Sequence, residues 1–391
     1  MIGIVGAGQL ARMTTEAASA LGVDVVVLAE QTDDAGAGIA TRTLVGSPGV
    51  PGDLGRLAEV CDVVTFDHEQ VDLGEVRALE EAGRIVRPGS ATLEVAVDKA
   101  RMRRRFTAVG IPVPRYEVLD GPAAPSAAVA AFAGTADWPV VLKATRGGYD
   151  GKGVWPVADQ AEADETCARA AAHQTPLMVE EMVPITCELA VLVARRPQGE
   201  TVVWPPVETT QFGGVCREVL APGRLDPATA TAAVAIARKV ADEIGLAGVM
   251  AVELFLAQGA LLVNEIAARP HNSGHWTIEG SVTSQFENHV RAVLDLPLGD
   301  PALTAPHVAS VNIFGPDDGS DPATHLGGAL ALAGVHVHLY GKRARPGRKL
   351  GHVTVCGSDL DDVRARAWAA ARVLGAPGLP KPEPEGGPHE R

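Results

Sequence analysis

Two spacings of apolar residues alternate along the first hundred positions. Short strand-like runs, IGIVG, VDVVVLAE, VVTF and RIVRPG, are separated by helix-like stretches, QLARMTTEAASALG, LGRLAEVCD and VDLGEVRALEEAG. This alternation predicts βαβ units and a parallel sheet, with ligands at the carboxyl ends of its strands.

The pattern then changes. DKARMRRRFTAVG predicts a helix, and the two prolines of IPVPRY mark a boundary. WPVVLKA reads as a strand running into a glycine-rich loop, LMVEEMV and CELAVLVARR as strands, and PATATAAVAIARKVADEIG as a helix. VMAVELFLAQGALLVNEI reads as a strand pair about a Gln258-Gly259 turn. After DLPLGDP, VHVHLYG and GHVTVCG alternate as strands around a basic turn, and DLDDVRARAWAAARVLG predicts a closing helix. The end, APGLPKPEPEGGPHER, is rich in proline and glycine and is expected to be disordered.

Composition adds bounds. A chain of 391 residues holds about two to four domains, and 46% hydrophobic with 21% charged residues is ordinary for a globular protein. The formal charge of −14 argues against nucleic acid or an anionic membrane as the main partner, so a polyanionic substrate has to be met by a local cluster of cations. With no charged-then-apolar leader and no bilayer-length apolar run, the expected location is the cytoplasm. Cys61, Cys167, Cys187, Cys216 and Cys356 form no C-x-x-C pair and read as buried reduced thiols.

Several stretches carry chemistry. Gly6, Gly8 and Ala11 after the first strand, with Glu30 closing the second, match a dinucleotide fingerprint and favour an NAD-dependent dehydrogenase. VVLKATRGGYDGKGVW competes with that reading: Lys143 closes a strand, and Gly147, Gly148, Gly151 and Gly153 suit a loop that folds over phosphates. It is not a Walker A loop, because the spacing is short by one and Gly153 replaces the metal-binding hydroxyl. Glu253 and Glu265 lie on adjacent strands. They face each other if the connecting loop has an odd number of residues, whereas a two-residue loop puts Asn264 opposite Glu253. Paired acids beside a phosphate loop suit Mg2+. Glu180, Glu181 and Glu188 crowd a strand end, Arg269, His271, Asn272, Ser273 and His275 share one loop, and Lys342, Arg343, Arg345, Arg348 and Lys349 form a basic turn.

The glycine loop, the paired acids and the intervening Glu-rich hinge together resemble the ATP-grasp fold. More narrowly, GAGQLARM, RGGYDGKG, NEIAARPHNSGHW and RPGRKLGH are similar, in that order, to motifs of the N5-carboxyaminoimidazole ribonucleotide synthetase family. The resemblance implies α/β and α+β architecture: a Rossmann-like domain over 1–97, an ATP-grasp domain over 98–298 with lobes of about 110–182 and 183–298, a small β-rich domain over 299–375, and a tail over 376–391. It implies that Lys99 and Lys143 contact ATP phosphates beneath a loop of Gly148, Tyr149, Asp150, Gly151, Lys152 and Gly153. Glu180, Glu181, Met182 and Val183 would line the adenine, Glu188 the ribose, and Gln211 the nucleotide, at a position where relatives often carry histidine. Glu253 and Glu265 would bind Mg2+ or Mn2+, with Asn264 nearby. Gly8, Gln9 and Leu10 would meet the ribonucleotide phosphate together with Lys342, Arg348 and Lys349. Asp150, Arg269, His271, Asn272 and Ser273 would surround the imidazole and the incoming carboxyl group. Ala268 stands where relatives commonly have proline.

The implied reaction joins bicarbonate to aminoimidazole ribonucleotide using ATP, in a cytoplasmic homodimer. Runners-up in the same fold are a formate-dependent glycinamide ribonucleotide transformylase and a biotin carboxylase. The dehydrogenase leaves the second glycine loop and the acid pair unexplained, and an ATP-binding module without catalysis leaves Lys143, Glu253, Asn264 and Glu265 unexplained.

Overall fold

The structure is a computed structural model and describes residues 1–121, 124–148 and 152–376. Tyr149, Asp150, Gly151 and the tail beyond 376 lie outside the described residues.

The parallel sheet is built from β1 (Ile2–Val5), β2 (Val25–Ala29), β3 (Arg42–Val45) and β4 (Val63–Phe66), in the order β3-β2-β1-β4. β3 escapes the sequence pattern because it is a half-exposed edge strand with mixed polarity. RIVRPG, expected as a strand, makes only one bridge, from Val86 to Val64. Pro88 follows at once and has no N–H to continue the ladder.

An antiparallel sheet follows, ordered β5-β8-β6-β7, from β5 (Tyr116–Val118), β6 (Val140–Ala144), β7 (Val154–Val157) and β8 (Leu177–Glu181). The helices Pro125–Ala136 and Gln160–Ala172 bury Val129, Phe132, Ala163 and Cys167 against one face of it.

The nine-stranded antiparallel sheet collects β9 (Cys187–Arg195), β10 (Thr201–Val203), β11 (Val207–Phe212), β12 (Val215–Ala221), β13 (Gly248–Ala257), β14 (Ala260–Ala267), β15 (His307–Phe314), β16 (Val335–Leu339) and β17 (Lys349–Gly357). Its order is β14-β13-β9-β11-β12-β15-β17-β16, with β10 beside β9. The C-terminal strands extend this sheet, because β15 pairs directly with β12.

Strand periodicity decides which face is chemical. On β13, Met250, Val252 and Leu254 pack against the helix Pro227–Glu243, while Val249 and Ala251 enter a second core on the other side. Each of the Met, Val and Leu side chains contributes about 1.5–3 kcal/mol on full burial. Glu253 takes the parity of Val249 and Ala251, so it points away from the helix. The parallel sheet docks on this body through the helices Gln9–Ala20 and Gln285–Val293; Val290 and Val293 share a core with Ile2, Ile4 and Ala11. Ser284 caps the second helix by accepting from the Glu287 N–H at 3.1 Å, as its sequence suggests.

Candidate active site

The hairpin of β13 and β14 turns through Gln258 and Gly259, both at positive φ, the backbone of a two-residue hairpin turn. Such a loop alone sets Asn264 opposite Glu253. The ladder instead slips by one residue: Leu254 pairs with Val263, but Glu253 pairs with Glu265. Asn264 is the extra residue of a bulge, so Asn264 and Glu265 both serve the chemical face while Val263 and Ile266 stay in the core.

Around this pair the chain gathers its cations. Lys99 opens the helix Lys99–Ala108 and forms a close ion pair with Glu265. The Lys143 ammonium lies 2.6 Å from Glu180 Oε2 and donates to Asn264 Oδ1 at 3.3 Å. Burial raises the Glu265 carboxyl, but Lys99 outweighs it and holds the group well below the usual range. Glu253 lacks such a partner: burial, then the Glu265 charge, pushes it up to about 8. Two opposed, half-buried carboxylates of unequal acidity form a hard-oxygen pair suited to Mg2+, which takes one or two carboxylates and completes its shell with phosphates and water. The chain offers nothing larger, since no cluster of three or more His, Cys, Asp or Glu able to hold a metal occurs among the described residues.

The glycine loop leaves β6 and returns to it. Ala144 N–H donates to the Gly153 carbonyl at 2.8 Å, and a Cβ on Gly148 would lie 2.6 Å from the Lys152 carbonyl oxygen, which explains its glycine. Asp98 caps the Lys99–Ala108 helix and also accepts Arg146 at 2.8 Å, tying the start of the loop to the helix.

The strand-end acids divide. The Glu180 carboxylate is 2% exposed and is shared between Arg103 and Lys143, which leaves only the backbone of Glu180 for the expected adenine contact. Burial raises it, but the two cations hold it down to about 2. Glu181 turns to Arg115, accepting from its N–H at 2.9 Å. Met182 is exposed and Val183 buried, in the connection to β9. Glu188 shares the face of Glu253, pairing with Phe255 on β13 and Thr209 on β11. Gln211 lies farther along β11, half-buried near the hairpin tip.

The loop after β14 holds His271 with Nε2 3.4 Å from Glu253 Oε1 and Nδ1 2.9 Å from Ser273 Oγ. Gln285 fixes the loop by accepting from the His271 N–H at 2.9 Å and donating to its carbonyl at 2.7 Å. Burial, then the charges of Arg269 and Lys349, lowers His271 to about 3, so the ring is neutral. Asn272 Oδ1 is buried with no hydrogen-bond partner among the described residues. Arg269 reaches across to Glu69 at 2.7 Å.

Glu69 was not anticipated, nor was Asp67. The Asp67 carboxylate accepts from the Gly8 N–H at very short range and from the Ala11 N–H at 3.1 Å. It fills the anion seat at the N-terminus of the Gln9–Ala20 helix that a dinucleotide pyrophosphate would need, which removes the basis of the dehydrogenase reading. Both acids follow β4 directly, at the carboxyl edge of a parallel sheet, which is the signal that could have found them.

Gln9 and Lys342 meet across the whole chain, the ammonium donating to Gln9 Oε1. Burial, then Arg348 and Lys349, lowers Lys342 to about 8. Arg348 donates to the Arg343 carbonyl at 3.1 Å, and Lys349 sits 5.7 Å from the Phe314 ring. Leu10, expected at the substrate, buries its side chain against Met13, Phe286 and Tyr340, which leaves its backbone for that contact. The five cysteines are free, and Cys167 alone is buried while the other four are half-buried. Burial pushes Cys187 up to about 11 and Cys216 up to about 12, away from nucleophilic use. No helix among the described residues is long and apolar enough to cross a membrane.

Known proteins match this arrangement along its length. Residues 1–97 match the ribonucleotide synthetase preATP-grasp domain, 104–286 the ATP-grasp domain, and 309–366 the phosphoribosylaminoimidazole carboxylase C-terminal domain. The chain is 44% identical over 381 residues to the N5-carboxyaminoimidazole ribonucleotide synthase of Mycobacterium tuberculosis, covering 96% of this chain and 87% of that one. It is 40% identical to the enzyme of the same name from Synechococcus elongatus, covering 90% and 89%. Among solved structures, an ADP complex of N5-carboxyaminoimidazole ribonucleotide synthetase superposes with a TM-score of 0.86 at 33% identity, covering 96% of each chain. The Aspergillus clavatus N5-carboxyaminoimidazole synthase, solved with ADP and 5-aminoimidazole ribonucleotide, gives 0.85 at 30% identity, covering 96% and 98%.

Proposed function

The chain belongs to the N5-carboxyaminoimidazole ribonucleotide synthase family, and we propose that its site carries the carboxyl group from bicarbonate to aminoimidazole ribonucleotide by way of carboxyphosphate. The activity is an ATP-dependent carbon–nitrogen ligation, the carboxylation of aminoimidazole ribonucleotide in purine biosynthesis. The observation that carries the finer reading is the Glu253–Glu265 pair beside Lys99, Lys143 and Asn264, with His271 on Glu253.

A bicarbonate oxygen attacks the γ-phosphorus of ATP, ADP leaves, and carboxyphosphate forms. Lys99 and Lys143 neutralise charge spreading over the transferring group. Mg2+, held by Glu253 and Glu265, would supply further electrostatic stabilisation of the phosphate oxygens. On the resemblance, the Gly148–Gly153 loop, part of which lies outside the described residues, would exclude water from the short-lived mixed anhydride. The ribonucleotide amine then bonds to the carboxyl carbon, either of carboxyphosphate, whose carbon–oxygen bond to phosphate breaks, or of CO2 after carboxyphosphate has split into CO2 and phosphate, and the amine loses a proton as the carbamate forms.

His271 is neutral and a weak base, so we assign it to orienting the carboxyl group with Asn272 and Ser273. Asp150 and His271 are the two candidates the sequence offers to orient or deprotonate the amine; with His271 so weak a base, we assign the proton to Asp150. Gln9, Lys342, Arg348 and Lys349 would receive the ribonucleotide phosphate, Met182 and Val183 the adenine, and Glu188 the ribose. On the same resemblance, the chain works as a cytoplasmic homodimer.

The test is phosphate release from MgATP by the purified protein with and without bicarbonate and aminoimidazole ribonucleotide. Release that requires both supports the reading. Release indifferent to the ribonucleotide would return the acceptor to another ligase of this fold.

A further inference from the structure

Arg103 lies one helical turn after Lys99 and is fully buried, with 0% exposure. Its Nε donates to Glu180 Oε1 at 2.6 Å, while Lys143 takes Oε2 of the same carboxylate at 2.6 Å. Each oxygen of Glu180 therefore holds one cation. Arg103 Nη1 and Nη2 meet no acceptor among the described residues. Two cations against one carboxylate leave a net positive charge in the interior, which packing alone does not explain, because an apolar side chain of similar size would cost less.

Lys99 and Arg103, at i and i+4, project from one helix face to carboxylates on two different sheets: Glu265 on β14 and Glu180 on β8. We propose that Arg103 is a positioning residue for phosphoryl transfer, holding Glu180 by one oxygen so that Lys143 is fixed between Glu180 and Asn264. Without it, the Glu180 carboxylate is free to rotate and to take Lys143 with both oxygens, away from Asn264. The excess charge also leaves the ammonium only partly neutralised, and available to the phosphates. This inference rests on the reading that Lys143 contacts ATP phosphate.

The experiment measures ribonucleotide-dependent phosphate release by the full chain carrying Arg103→Met, Arg103→Lys or Lys143→Met. Arg103→Met leaves Glu180 and Lys143 as a matched pair, and circular dichroism checks its folding. It is expected to lower kcat about 10- to 100-fold, as small misplacements of a catalytic group do, with KM for the ribonucleotide unchanged. Arg103→Lys, which keeps the charge and one donor, restores most of the rate. A folded Arg103→Met protein with wild-type kcat, or an Arg103→Lys protein as slow as Arg103→Met, overturns the proposal. Should Arg103→Met not fold, Glu180→Gln decides: it must lower kcat in the same way, and wild-type kcat would overturn the proposal. Wild-type turnover by Lys143→Met is a separate outcome, because it removes the Lys143 reading itself.

Discussion

Glu253 and Glu265 face each other because Asn264 is inserted into β14 as a bulge, against the register that the Gln258-Gly259 turn sets. The repulsion between them is useful only when a cation sits between them. Replacing either by Gln is expected to lower ATP-dependent phosphate release about 100-fold, the scale of losing one fixed electrostatic contact in a transition state. In the metal-free protein the two variants should part: Glu253→Gln raises the thermal midpoint, because its carboxyl is the one that burial and the Glu265 charge disfavour, whereas Glu265→Gln lowers it, because Lys99 loses its carboxylate. Unchanged turnover in both variants would remove the metal assignment.

Four imidazoles, the buried His275, His289 and His352 and the half-buried His271, are all lowered by desolvation first. Each binds a proton more readily unfolded than folded, so each adds stability that is lost as pH falls through about 6.5. Glu253 has the opposite sign: raised to about 8, it stabilises the protonated native state and weakens it as pH rises from the usual Glu range to about 8. Four groups outweigh one below pH ~6.5, and above it Glu253 is left alone among these five. Thermal melts of the metal-free protein should therefore peak near pH ~6.5 and fall on both sides, with the alkaline slope abolished in Glu253→Gln. A slope above that pH which survives the substitution would contradict this account.

Asp67 satisfies the Gly8 and Ala11 amides that open the first helix. Asp67→Ala leaves both buried donors unpaired, a cost of about 1–3 kcal/mol each at most, seen as an earlier denaturant midpoint. Gly8→Ala places a Cβ 2.6 Å from Asp67 Oδ2 and should destabilise as well. Neither the wild type nor Gly8→Ala should quench or enhance NADH fluorescence.

Lys342 is cationic below about 8 and meets Gln9. If it binds the ribonucleotide phosphate, KM for that substrate rises as pH passes about 8, while KM for ATP stays level. Lys342→Met should raise the ribonucleotide KM about 10- to 100-fold, the worth of one charge-assisted hydrogen bond, with kcat nearly unchanged. A kcat defect without a KM effect would place Lys342 elsewhere in the reaction.

What the sequence revealed and what it hid differ in kind. The glycine run of the second loop, the acids of the hairpin and the donor-rich loop at Arg269 to His275 stand out because each is dense within a short stretch. The partner of each acid does not. A two-residue turn implies that Asn264 faces Glu253, and the bulge that reverses this is set by how β14 fills the core with Val263 and Ile266. Glu180 looks like a solvated strand-end acid beside Glu181, and only packing against a helix 77 residues upstream shows that it is buried on Arg103. Leu10 follows a glycine turn and looks like part of it, yet the helix turns it inward onto Tyr340.

The nine-stranded sheet runs unbroken from the Glu253 and Glu265 hairpin to the strands flanking the Lys342 turn, whereas β5 to β8 share no ladder with it. A displacement of the smaller sheet would therefore break the Lys143 contact with Asn264 while leaving the separation between the carboxylates and the basic turn as it is.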